Sequence, residues 1–352
     1  MALYRSTIIP EMNTELVHDF LARDEAGSPP SCTTGNEYDG RMGLRISSIF
    51  VILVGSIFGA VFPVVAARFG GSRIPSWVFF IAKYFGSGVI IATAFIHLLG
   101  PAEEALRNPC LTGPITEYGW AEGIILMTIL VMFFVELMVM RYVRFGQNDQ
   151  LDVENHGHSH FDDDEDATTD ERNRVVPRYD TEMSEKMDVY MAQLTSIFIL
   201  EFGIVFHSVF IGLTLAVSGK EFTILYIVIV FHQTFEGLGL GSRLATLPWP
   251  RSKHLTPYIL GVVYGVSTPI AIAIGLGVRK TYPPNGRTTL IVNGVFDSIS
   301  GGILIYVSLV ELIAHEFMFT PSMRRAPIQT VLAAIILLSS GAALMALLGK
   351  WA

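Results

Sequence analysis

Residues 200–212 read LEFGIVFHSVFIG and residues 228–241 read VIVFHQTFEGLGLG, and these two stretches decide what kind of molecule the chain is. Each is apolar enough to cross a bilayer, yet the first carries Glu201, His207 and Ser208, and the second His232, Gln233 and Glu236. An ionisable side chain near a bilayer centre costs about 2.5–3.5 kcal/mol on insertion scales, so such groups persist where they are paired and used. His232 and Glu236 stand four apart and share one helix face. An imidazole nitrogen and a carboxylate oxygen at that spacing make half of a divalent-metal site.

The same apolar pattern extends outward in both directions. The chain has 352 residues, of which only 16% are charged, against roughly 25% in soluble domains; its mean hydropathy is +0.48. Apolar runs of about 20 residues fall near 46–67, 76–99, 119–141, 190–217, 222–244, 257–279, 289–317 and 327–349. The expected fold is therefore an all-α polytopic membrane protein with eight transmembrane helices. A polar, extracytoplasmic N-terminal segment (1–45) precedes helices 1–3 (46–141). A polar stretch (142–189), expected to be a disordered cytosolic loop rich in His and Asp, follows, and then helices 4–8 (190–350). Arg5, Glu11, Glu15 and Asp19 interrupt the start, so the first span rather than a cleaved leader is expected to direct insertion. A net charge of −8 argues against nucleic acid as a partner.

An even number of spans puts both termini on one side. With the termini outside, the inner loops hold Arg68, Arg73, Arg141, Arg144, Arg243, Arg251, Lys253, Arg324 and Arg325. The outer side holds fewer, among them Arg45, Arg107, Lys220 and Arg287, although Arg279 and Lys280 oppose the trend. Cys32 and Cys110, the only cysteines, then share the non-cytosolic face, where they are either a disulfide pair or two free thiols. Two cysteines exclude a thiolate metal cluster.

Span seven adds Asp297, Glu311 and His315, the last two again four apart. Span two ends in His97, followed by Glu103 and Glu104, which form either an acidic vestibule that concentrates cations or a solvated loop start. Glu136 in span three is a packing partner or an inner-mouth residue. One intramembrane histidine reads most simply as a hydrogen-bonded core residue. That account has to be repeated for Glu201, His207, His232, Glu236, Glu311 and His315, and the concentration points to function.

The donor set narrows the ion. Mg²⁺ and Ca²⁺ favour oxygen cages, and Cu⁺ favours sulfur, whereas the 13 methionines form no motif near these histidines. Mixed imidazole and carboxylate suits Zn²⁺ first, then Fe²⁺ and Mn²⁺. The hydroxyl of Ser208 and the amide of Gln233 are poor zinc ligands, which suits transient coordination. The metal is then cargo, and no cofactor is called for.

The segments EFGIVFHSVFIGLTLAVS, FHQTFEGLGLGSR and DSISGGILIYVSLVELIAHEF, with GVIIATAFIHLL in span two, resemble spans four, five, seven and two of the ZIP (Zrt/Irt-like) transporters, most closely the fungal branch. The resemblance covers nearly everything beyond residue 40. It implies a three-plus-two-plus-three arrangement in which inverted repeats flank spans four and five. It further implies inward movement of Zn²⁺, or of Fe²⁺ or Mn²⁺ in some members, plasma-membrane residence with extracellular termini, and a homodimer. By motif position His207, His232 and Glu236 match the main transport site, and His97 a position beside it. Ser208, Gln233 and Glu311 match groups around a second, adjacent site. Ile211 stands where some members carry an acidic residue, so one principal site is expected. Gly100 stands where relatives often carry a carboxylate, a role that Glu103 or Glu104 could take.

Within 142–189, HGHSHFDDDEDATTDE carries His156, His158 and His160 before an acidic run. Its composition predicts a disordered stretch with weak, multi-site metal binding, or a solvated linker; the resemblance makes it the cytosolic loop that collects or senses released metal. Two rivals from other classes remain at this level: an intramembrane metal hydrolase and a metal-sensing receptor. His315-Glu316 begins an H-E-x-x-H motif, but Phe319 ends it. No phosphate-binding G-x-x-x-x-G-K-[ST] loop is present, which counts against ATP-driven pumping.

Overall fold

In the computed structural model the described residues are 30–36, 38–69, 75–155 and 178–350. Among them, eight helices are long and apolar enough to cross a membrane. They are α1 (Met42–Phe69), α2 (Ser76–Leu106), α3 (Trp120–Asn155), α4 (Arg178–Val217), α5 (Phe222–Thr246), α6 (Thr256–Val278), α7 (Arg287–Phe319) and α8 (Ile328–Leu348). Proline marks two starts, Pro75 before α2 and Pro327 before α8, where a missing N–H costs nothing.

The packing pattern is that of two inverted three-helix repeats around α4 and α5. α1 packs on α5 as α6 packs on α4; α2 packs on α8 as α7 packs on α3; α2 meets α5 as α7 meets α4. The pairs α1–α6 and α2–α7 meet across the axis. Sequence detail follows the same relation: α1 and α6 each enclose a proline, Pro63 and Pro269. α2 and α7 each contain a π-helical segment, Thr93–Leu99 and Ser308–Phe319. Such widened turns are rare and cluster at functional positions; here they carry His97 in one repeat and Glu311 and His315 in the other.

Burial sorts the helices into centre and rim. Only 6% of the most apolar stretch of α3 and 17% of that of α8 is buried, against 50% for α5 and 61% for α7. α3 and α8 therefore turn apolar side chains such as Phe133, Phe134 and Ile336 outward, as a lipid-facing surface requires. Toward the centre the backbones cross closely. A Cβ on Gly86 of α2 would strike the backbone of Gly239 in α5, so both positions demand glycine for the helices to meet.

Packing and helix length both depart from what hydropathy alone suggests. α4 and α5, joined by residues 218–221, do not pack chiefly on each other; each leans on a helix of the flanking repeats, α4 on α6 and α5 on α1. The polar stretch 142–189 is helical at both ends, since α3 runs on to Asn155 and α4 begins at Arg178. Once a helix is nucleated in its apolar part, each further residue adds a hydrogen bond at little cost. His156, His158 and His160 lie outside the described residues.

On the face that carries the termini, Cys32 and Cys110 form a disulfide that ties the segment before α1 to the α2–α3 connection. Arg45 is wholly buried there. Its Nη1 donates to the carbonyls of Leu215 (3.2 Å) and Ala216 (2.9 Å), and its Nη2 to Ser218 (2.5 Å). The guanidinium thus caps the carbonyl end of α4 where the helix dipole is negative, and stacks on the rings of Tyr38 and Phe222. Arg279 is similarly occupied, over the Tyr38 ring and bonded to its own helix end. These two arginines bond to helix-end carbonyls rather than standing as free loop charges.

Candidate metal-transport site

Two separate cavities enter the helix bundle from opposite faces. The outer one, about 510 Å³, opens toward the face with the termini and is lined by His97, Glu104, His207, His232 and Asp297 among apolar residues such as Ile211 and Phe210. The inner one, about 170 Å³, is lined by Lys83, Ser196, Arg243, Glu311, His315 and Glu316, with no residue in common with the first. On α5, His232 lines the outer cavity and Arg243 the inner; eleven residues at 1.5 Å each set them about 16 Å apart. The septum between them holds Glu236, Gln233, Ser208 and Glu201, all buried.

His207, His232 and Glu236 converge at the floor of the outer cavity. His232 Nε2 and Glu236 Oε2 are 3.7 Å apart, too far for a hydrogen bond. The rings of His207 and His232 lie 5.9 Å apart, and those of His97 and His232 4.8 Å. Both ring nitrogens of His207, Nε2 of His232 and both oxygens of Glu236 are buried without a hydrogen-bond partner. Each such group forfeits about 1–3 kcal/mol unless something else takes its lone pair or proton. Two ligands bound to one zinc ion at tetrahedral angles sit about 3.4 Å apart, so the His232–Glu236 gap fits a shared cation after a shift of a few tenths of an ångström. As they stand, the described residues include no group of three or more His, Cys, Asp or Glu set to hold a metal. The arrangement is a pair with neighbours in reach, which suits passage better than storage.

His97 comes to the same floor from α2. Its Nε2 lies 3.2 Å from the Met345 carbonyl, so Nε2 carries the proton and Nδ1 is the free acceptor. Glu104 lines the outer cavity, whereas Glu103 does not: it reaches Arg107 at 3.4 Å. Of the two acids expected at the entrance, only Glu104 faces the cavity. The four-residue step from Glu103 to Arg107 on one helix face explains the diversion.

Ser208 and Gln233 are not free ligands here. Gln233 Nε2 donates to Thr268 Oγ1 (2.5 Å) and Ser208 Oγ (3.3 Å), while the Tyr264 hydroxyl bonds the Gln233 side-chain carbonyl at 2.6 Å. Thr268 and Tyr264 of α6 were missed from sequence; an in-span threonine and tyrosine carry no signal until a buried amide needs partners. Asp297 was noted on span seven but not assigned to the site, and the structure sets its Oδ1 3.8 Å from His207 Nδ1. Glu311 and His315 do line one cavity together, the inner one. Glu136 accepts a 2.6 Å hydrogen bond from the Tyr306 hydroxyl and links α3 to α7. Glu201 is buried with both oxygens unpartnered.

Above the outer cavity, Tyr282 lies in the α6–α7 connection. Burial pushes its phenol above the ordinary value, the Asp297 carboxylate adds to that, and a hydrogen bond with Asn293 opposes it. It stays neutral at any physiological pH.

An eight-helix, inverted-repeat membrane protein with unpartnered imidazole and carboxylate between its central helices belongs to the class of transporters whose substrate sits at mid-depth. Residues 42–349 match the family described as ZIP zinc transporter, and the chain is a member of that family. It is 38% identical to zinc-regulated transporter 2 of Saccharomyces cerevisiae over 95% of this chain and the full length of that protein. It is 42% identical to zinc-regulated transporter 1 of the same yeast, over 90% of each. A plant relative, zinc transporter 3 of Arabidopsis thaliana, is 33% identical over 93% of this chain and 91% of its own length.

Proposed function

We propose that this chain carries Zn²⁺ across a membrane into the cytosol through the His207, His232 and Glu236 site, with Fe²⁺ or Mn²⁺ as alternative cargo of the same site. The observation that carries the reading is the set of buried, unpartnered nitrogens and oxygens on α4 and α5 at the floor of an open cavity. The names of the fungal and plant relatives favour zinc among the borderline cations.

In this reading the ion enters past Glu104 and exchanges water for His97, His207, His232 and Glu236. Rearrangement of the Gln233–Thr268–Tyr264 network opens the septum, and Ser208 and Gln233 serve as passing contacts. Release follows past Glu311 and His315. The disulfide on the face of the termini suits an oxidising exterior, hence a plasma membrane with both ends outside. The decisive measurement is uptake of radiolabelled zinc by cells making the chain or its His232→Ala/Glu236→Ala form at equal surface abundance. Near-complete loss in the variant is expected, and equal accumulation by both would reject the assignment.

A further inference from the structure

Asp297 of α7 stands apart from the α4 and α5 ligands, yet it faces one of them. Among the described residues its only charged or imidazole neighbour at ion-pair distance is His207, at 3.8 Å from Oδ1 to Nδ1. Both residues line the outer cavity. His207 is 2% exposed, and neither of its ring nitrogens has a hydrogen-bond partner. A neutral imidazole presents one N–H and one lone pair, so a ring left without either partner on the wall of a cavity is built for a visitor.

The geometry resembles that of the deeper pair. The His207–Asp297 gap of 3.8 Å and the His232–Glu236 gap of 3.7 Å both exceed hydrogen-bond range. Both are a few tenths of an ångström wider than the roughly 3.4 Å between two ligands of one tetrahedral zinc. α4 supplies no carboxylate of its own here, because the residue one turn beyond His207 on the cavity wall is Ile211. α7 supplies it instead.

We propose that Asp297 and His207 Nδ1 form an outer cation station, distinct from the His232–Glu236 pair, that receives a borderline divalent cation before the His207 ring passes it inward. The inference rests on the transport reading above and adds a step to it. Two dications on adjacent stations repel strongly at this depth, so the stations are filled in turn, with His207 shared between them. The imidazole–carboxylate donor set favours Zn²⁺, Fe²⁺ or Mn²⁺ over Ca²⁺ and Mg²⁺.

Co²⁺ is the probe, because its visible absorption reports imidazole and carboxylate ligation directly. The purified full-length chain carrying His232→Ala/Glu236→Ala should still bind Co²⁺ at the outer station. Adding Asp297→Asn should weaken that binding roughly tenfold or more, and Asp297→Glu should restore part of it. In the otherwise unaltered chain, Asp297→Asn should chiefly raise the zinc concentration for half-maximal uptake, with a smaller fall in maximal rate. Failure of the double variant to bind Co²⁺, or indifference of both binding and half-saturation to Asp297→Asn, overturns the outer station alone. Full zinc uptake by the His232→Ala/Glu236→Ala form overturns the transport reading itself.

Discussion

The outer and inner cavities hold similar acids and imidazoles but differ in fixed positive charge. The outer lining has Glu104 and Asp297 with His97, His207 and His232, and neither lysine nor arginine. The inner lining has Glu311 and Glu316 with His315, and also Lys83 and Arg243. Lys83 Nζ sits 2.7 Å from Glu316 Oε1, which also accepts a 2.7 Å hydrogen bond from Tyr84. Arg243 lies within electrostatic reach of both inner carboxylates. Two carboxylates without a counter-charge make a surface that draws dications in. Two carboxylates already matched by tethered cations make one that a dication occupies weakly and leaves. The contrast suits capture on one side and release on the other, and it can be tested by exchanging the charges.

The largest effect is expected from placing a tethered cation in the outer cavity. Asn293→Lys puts an ammonium one helical turn from Asp297, and at about 8 Å from a dication the repulsion is about 4 kcal/mol at an effective dielectric of 20, before salt screening. Half-saturating zinc should rise on the order of a hundredfold, with Asn293→Gln as the neutral control. An unchanged uptake curve would break the comparison. Next comes the septum: Tyr264→Phe strips the Gln233 side-chain carbonyl of its buried donor, at about 1–3 kcal/mol. The outward-open arrangement should lose ground, seen as faster labelling of a cysteine placed at Thr246 on the inner wall. Third, Lys83→Met frees Glu316, so the inner cavity should hold the ion longer. Turnover should fall several-fold, roughly three to ten, with little change in half-saturation; a faster turnover would reverse the assigned roles.

Much of this was legible in the chain because membranes punish polar groups so consistently. Eight spans, the in-span position of His207, His232 and Glu236, and the common helix face of Glu311 and His315 follow from hydropathy and four-residue spacing. The separation of Glu103 from Glu104 was not legible, since it depends on which helix face turns toward Arg107. Nor were the π-helical turns around His97 and Glu311, which no propensity marks. Asp297 was visible as an in-span carboxylate, but its partner is 90 residues away on α4, and only the crossing of α7 over α4 brings them together. Tyr264 and Thr268 were hidden for the same reason: hydroxyls inside a span acquire meaning from the amide they meet.

The smallest effect concerns the paired charges before and at the start of α1, on the face that carries the termini. Asp39 pairs with both Arg41 and Arg45 while Arg45 caps α4. The hydrogen bond from Arg41, ahead of the contribution of Arg45, holds the Asp39 carboxyl below its ordinary value, with burial opposing. A depressed folded-state value means that the folded form binds fewer protons than the unfolded one. The stabilisation is therefore present above the unfolded value and is lost as pH falls through the folded one. Asp39→Asn should lower thermal stability slightly at neutral pH and leave that face slightly more positive, raising half-saturating zinc by about twofold at most, as exposed pairs are worth little. The stability difference between the two forms should close as pH is lowered from 7 toward 3. A gap that persists at the acid end would mean that Asp39 acts through shape rather than through its charge on Arg41 and Arg45.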